Sequence, residues 1–268
     1  MTADASVWSR RRLLTILVAA AGVGLLLILG LGLFVWQVLR GGQENTAQVA
    51  TVETTQLILP ESGQDRRELI AAGPMLEVED PRAYQEGEVS AAVAESIVIP
   101  PARSTGPVGV PTGYPRSPEG AVAQLAAIDV VVLQGMSVPA THEVYRQWGT
   151  GEGDPKQWVM TTNVTDFLTA AAQSGQEKEA GLAVTVTPAA GQVKGVDGQD
   201  WVVACVLLDI RAVLVDDAQV AYGHCEAMTW QGDRWLIDTT TQVAPAPSTW
   251  PGTDLAVQAG WRTWTPGN

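Results

Sequence analysis

Cysteine, histidine and lysine are scarce in this 268-residue chain: the cysteines are Cys205 and Cys225, the histidines His142 and His224, and the lysines Lys156, Lys178 and Lys194. Two cysteines alone cannot complete a four-ligand metal site. Neither histidine stands in a Ser/His/Asp, paired-metal or phosphate-loop spacing. The chain therefore reads as non-enzymatic, with no cofactor and no metal expected. Basic residues are also few, 16 Lys and Arg against 29 Asp and Glu, giving a formal net charge of −13. Without a broad basic surface, direct nucleic-acid binding is not expected. Charge is missing altogether from Leu13–Leu39, and aromatic residues nearly vanish between Gly41 and Val110.

The uncharged run is the most constraining feature present. It is about 27 residues long, whereas roughly 20 helical residues already cross the hydrocarbon core of a bilayer, so one tilted helix suffices. Arg10, Arg11 and Arg12 precede it and only Arg40 follows. This excess of positive charge predicts a single-pass cell-membrane protein, with residues 1–12 cytoplasmic, residues 13–39 spanning the lipid bilayer and the remainder extracytoplasmic. A cleavable signal, whose apolar core spans about 7–15 residues, is too short to match. A twin-arginine export signal over Ser9-Arg10-Arg11-Arg12-Leu13-Leu14 is the remaining alternative. Trp36 fits an interfacial anchor at the outer end. Ala20 and Gly24, with Gly22, Gly30 and Gly32, would let two such helices pack into a homo-oligomer, although glycine is frequent in membrane helices generally.

Residues 40–112 carry many acids, among them Glu61, Glu68, Glu77, Glu79, Asp80, Glu86 and Glu88, and end in a Pro/Gly-containing piece from Ile99 to Pro111. Such composition buries too little apolar surface to offset ordering entropy, and the prolines favour extended, semi-stiff chain. The reading is a disordered spacer. The alternative is that short stretches such as Ala91–Ile99 form strands or bind a partner.

Residues 113–268 read as one α+β domain. Ser117 suits a helix N-cap, Pro118 the first helical position and Glu119 the positive helix end. The helix continues to Gly135, apolar on so much of its circumference that other structure must clasp it. A second helical stretch runs over Val164–Gln173, with Asn163 as possible cap and Gly175 as stop. Leu182–Thr187, Gln192–Val196, Trp201–Leu214, Gln219–Trp230 and Arg234–Asp238 are rich in β-branched and aromatic residues and separated by turn signals such as Asp197-Gly198 and Gln231-Gly232-Asp233. Helices followed by strands predict helices packed on one face of a curved antiparallel sheet.

Four groups of residues stand out. Cys205 and Cys225 fall on consecutive strands; a two-residue turn at Asp216-Asp217 would set Cys205 opposite Met228, whereas a longer turn or bulge would bring it opposite Cys225. In an oxidising compartment they would form a disulfide closing a loop of about 21 residues, worth on the order of 3 kcal/mol. Two free buried cysteines are the alternative. Strand alternation places Tyr222, His224 and Glu226 on one face, where they would line the concave side of the sheet or form a solvated face, with Asp209 and Asp238 as possible additions. Trp250, Trp261 and Trp264, in a Pro/Gly-rich tail, either face a partner or pack on their own domain. Asn163-Val164-Thr165 matches a glycosylation sequon, which a bacterial origin would discount.

A short cytoplasmic tail, one membrane helix, a tether and a helix-then-curved-sheet domain resemble the membrane scaffold subunits of type IV secretion and conjugation machines, whose exported domain is NTF2-like (cystatin-like). The segment Gly113-Tyr114-Pro115-Arg116-Ser117-Pro118-Glu119-Gly120-Ala121-Val122-Ala123 is similar to the start of uncharacterised actinobacterial domains of conjugative and integrative elements. Scarce lysine beside abundant arginine, alanine, glycine and valine fits a GC-rich genome of that kind. The resemblance implies a non-enzymatic assembly factor that docks with other envelope proteins of a DNA-transfer apparatus. It transfers no catalytic residue, and the long spacer and Trp-rich tail depart from the usual scaffold plan. The rival expectation is an exported ligand-binding or sensing module using the concave face; a cryptic hydrolase or isomerase is third.

Overall fold

The computed structural model describes residues 61–267, except 81, 152 and 215. Arg10, Arg11, Arg12, the 13–39 run and the first part of the expected spacer lie outside the described residues. Among the described residues, no helix is long and apolar enough to cross a membrane.

Helices pack on a curved six-stranded sheet. The helices are α1 (Gln64–Ala72), α2 (Pro118–Gly135), α3 (Val138–Trp148), α4 (Val159–Ala170) and the short α5 (Asp254–Gln258). The strands of the main sheet are β1 (Ser96–Ile99), β4 (Ala183–Asp197), β5 (Trp201–Val213), β6 (Asp217–Gln231), β7 (Arg234–Ile237) and β8 (Arg262–Pro266). Strands β2 (Ser104–Thr105) and β3 (Pro111–Thr112) form a separate small ladder. The sheet order is β1-β8-β4-β5-β6-β7.

Local chemistry explains the central elements. Ser117 Oγ accepts from the Gly120 N–H at 3.1 Å and Pro118 opens α2, as the sequence predicts. The helix ends beyond Gly135, at Met136, whose φ of 42° and ψ of 54° are left-handed. Twelve residues of α2 are buried, because the helix lies across β4 and β5 while α3, β1 and the β2–β3 ladder close over it. Gln124 ties that ladder down, accepting from Thr112 Oγ1 at 2.7 Å and donating to the Pro111 carbonyl at 3.0 Å. Positive-φ glycines at Gly198 and Gly232 make the β4–β5 and β6–β7 turns. Strand β4 bends through two register shifts, at Pro188/Ala190 and Val193/Gly195; bulges of this kind accentuate twist and bend the strand.

Three expectations change. The sheet is mixed rather than antiparallel, because β1 runs parallel to β8. The stretch 61–112, expected to be unstructured, holds α1, β1, β2 and β3. Its few apolar side chains suffice because the rest of the domain supplies their partners: Ile97 and Ile99 enter the core beneath α2 and Ala71 enters a second core. The second helical stretch begins at Val159, not Val164, and Asn163 lies inside it.

The sheet is covered on both faces. One core lies between its concave face and α2, α3 and α4, with Val206, Leu208, Leu125 and Ile128 fully buried. The other lies on the convex face, where Trp201, Cys205, Leu207, Cys225 and Trp261 meet Ala71 of α1 and Ala256 of α5.

Candidate functional site

Strand β7 has four residues and covers only the Met228–Gln231 part of β6. The rest of that β6 edge is left to irregular chain: Asp238 N–H bonds the Ala227 carbonyl, Ser248 Oγ accepts from the Gly223 N–H, and Ala221 N–H bonds the Tyr84 carbonyl. Between this edge, the start of α4 and residues 238–248 opens a cleft of about 670 Å³, within the usual range of ligand sites, about 300–1,000 Å³.

The inward residues of β6 form the cleft's floor. Alternation places Tyr222, His224 and Glu226 toward the helices, as expected from the sequence, and all three line the cleft. His224 Nδ1 lies 2.9 Å from Oδ2 of Asp129 on α2, and His224 Nε2 lies 3.3 Å from Glu226 Oε1. Glu226 Oε1 also accepts from Trp158 Nε1 at 2.7 Å. Asn163 Nδ2 donates to the Tyr222 hydroxyl at 2.6 Å, and the Tyr222 ring stacks near His224 with centroids 6.0 Å apart. The side chains of Asp129 and His224 are 0% and 4% exposed.

Burial works against charge on both members of this pair. It raises the Asp129 pKa, opposed by the neighbouring His224. On His224, burial is outweighed by Asp129, the Tyr222 hydroxyl and the contacts with Asp129 and Glu226, so its pKa stands well above 6.5. The imidazole thus keeps its proton at neutral pH, held between two carboxylates. Such an array can retain or relay a proton, but a ring protonated on both nitrogens is no base.

The other residues marked in the sequence are scattered. Cys205 and Cys225 are bonded on the convex face, and Cys225 also borders the cleft. Their opposition follows from Val213 pairing with Asp217, a longer turn than the two-residue alternative. Asp238 joins the cleft wall while accepting from Trp201 Nε1 at 3.0 Å. Asp209 does not; it accepts from Gln219 Nε2 near the far end of the β5–β6 hairpin. His142 lies on α3, its Nε2 buried without a hydrogen-bond partner. Trp261 is buried, donating to the Pro247 carbonyl, which is the own-domain alternative, and Trp250 and Trp264 are half-buried. The sequon residue Asn163 is engaged with Tyr222.

Asp129 and Trp158 were absent from the sequence candidates. Asp129 had a signal, being the single charge between Glu119 and Glu143 in an otherwise apolar helix. Trp158 had none, since only folding brings its indole to Glu226. Among the described residues, no group of three or more His, Cys, Asp or Glu side chains is placed to hold a metal ion. Compared with known proteins, the chain matches no protein-family model, no curated protein and no solved structure.

Proposed function

We propose that this is a membrane-anchored protein whose extracytoplasmic domain, of the NTF2-like type, is a non-enzymatic recognition module that takes a ligand into the cleft above Asp129, His224 and Glu226. The carrying observation is that a buried polar array, Asp129–His224–Glu226, forms the floor of an open cleft. Apolar residues of similar volume would stabilise the fold about as well as a buried ion pair, so stability alone gives no reason for charge there. The Cys205–Cys225 disulfide supports an oxidising, extracytoplasmic location, and the 13–39 run with its arginine flank supports the anchor.

The test is a ligand-observed NMR screen of the full chain in nanodiscs, with a library spanning anions, neutral polar molecules and cations. Binders should lose their signal change when Gln242→Trp or Thr240→Trp plugs the cleft mouth. A library with no binder sensitive to either plug would overturn the reading.

A second reading, an assembly subunit of a conjugative or type IV secretion-like apparatus, draws on the filled centre of the concave face. Leu125, Ile128, Val206 and Leu208 are fully buried there and none lines the cleft, so the broad surfaces are left for docking. Crosslinking in the native membrane should then recover transfer ATPases or channel subunits; recovery of self-crosslinks alone would contradict it.

A further inference from the structure

The cleft's lining is biased in charge. Asp154, Glu226 and Asp238 line it, and no lysine or arginine does among the described residues. The one basic group, the His224 imidazole, is neutralised by Asp129 behind it. Asp154 caps the short helical turn Pro155–Gln157 by accepting from the Lys156 N–H at 3.0 Å, which leaves its exposed carboxylate at the cleft rim. Asp238 stays ionised: burial raises its pKa, but hydrogen bonds from Thr240, Trp201 and Thr241 more than offset this and hold it below the ordinary value.

A further observation points to a ligand rather than to a merely acidic surface. Tyr145, Trp158 and Tyr222 also line the cleft, and aromatic rings beside carboxylates are the surroundings that attract organic cations. His224 Nε2, on a side chain 4% exposed, is itself covered and faces Glu226 Oε1 at 3.3 Å, so Glu226 is the acidic group the floor presents to the cleft.

We propose that the cleft binds a basic amino-acid group. Its ammonium or guanidinium lies against Glu226, Asp238 and Asp154 and is flanked by the aromatic rings. This rests on the recognition reading above. The same chemistry is offered by a free amino-acid derivative and by a Lys or Arg side chain on a partner polypeptide.

The experiment is calorimetric titration of the full chain in nanodiscs of zwitterionic lipid. The probes are L-arginine amide, the peptide Ala-Arg-Ala, its neutral isostere with citrulline in place of arginine, and glutarate. Both arginine probes should bind, with the citrulline peptide and glutarate at least about tenfold weaker, the worth of one charge-assisted contact. Glu226→Gln, which keeps an acceptor for Trp158, should weaken the arginine probes by a similar factor. Asp154→Asn, at an exposed position outside the core, should weaken them about threefold. Tighter binding of the peptide than of the amide assigns the source to a polypeptide, and the reverse to a free small molecule. Equal or better binding of citrulline or glutarate would overturn the cation assignment while leaving the cleft a binding site. Silence of all four probes together with a silent library screen would overturn both.

Discussion

The two faces of the sheet are built from the same strands and solve different problems. On β6, Tyr222, His224 and Glu226 point to one side and Ala221, Cys225 and Ala227 to the other. The concave side holds a buried imidazole between two carboxyl groups and leaves a cleft above it. The convex side is joined by a covalent bond and covered by α1, α5 and the C-terminal tail, with the Trp201 and Trp261 indole N–H groups satisfied by Asp238 and Pro247. One face carries the buried polar array, and the other is closed chiefly by apolar side chains and a disulfide. On the reading proposed above, the concave side serves recognition and the convex side rigidity.

The strongest way to break this contrast is to orphan the buried charge. His224→Ala leaves the Asp129 carboxylate without its partner and should cost about 3–5 kcal/mol of unfolding free energy. Replacing the pair together, as Asp129→Leu with His224→Met, should cost far less, because apolar residues can serve the packing equally well. Chemical denaturation of the full chain in detergent checks both. A double variant as damaged as the single one would mean that the pair is structural.

On the other face, Cys205→Ala with Cys225→Ala should cost about 3 kcal/mol, the value expected for releasing a loop of this length.

A smaller effect appears with pH. His224 has a folded pKa above its unfolded value of about 6.5, so its contribution is complete below that value and is lost as pH rises through the folded one. The Asp129 shift, also upward, carries the same sign at lower pH. Stability should therefore decline above about pH 6.5 in the native chain and stay flatter in the Leu/Met double variant, as followed by thermal melts across pH 6–9.

The least effect is expected where α1 meets β4. Arg67 Nε lies 2.6 Å from Asp197 Oδ2, with the arginine 32% exposed and the aspartate 5%. That contact, foremost, holds the Asp197 carboxyl below its ordinary pKa. Arg67→Ala should cost up to about 1 kcal/mol, since Gly63 N–H and Arg66 still face the carboxylate. Proteolysis of the 61–75 segment would report any loosening.

What could be read from the chain followed the reach of its local signals. Ser117 and Pro118 announced α2, and β-branched runs announced β5 and β6 nearly residue for residue. Alternation then placed Tyr222, His224 and Glu226 together. The β1–β8 pair was not legible, because a four-residue strand beside prolines gains its stability from Thr263–Pro266, more than 160 residues away. The Asp129–His224 contact spans 95 residues, a distance over which no periodicity speaks. The Pro/Gly-rich surroundings of Trp261 left open whether it faces a partner or its own domain; α5 returns the indole to the convex core.

The most direct test of the central claim is the protonation state of the His224 ring. In the full chain with ¹⁵N-labelled histidine, and with His142→Gln to leave a single signal, both ring nitrogens should show imidazolium shifts at pH 7.5. A neutral ring at that pH, titrating near 6.5 like an exposed histidine, would contradict the charged floor on which the proposed recognition rests.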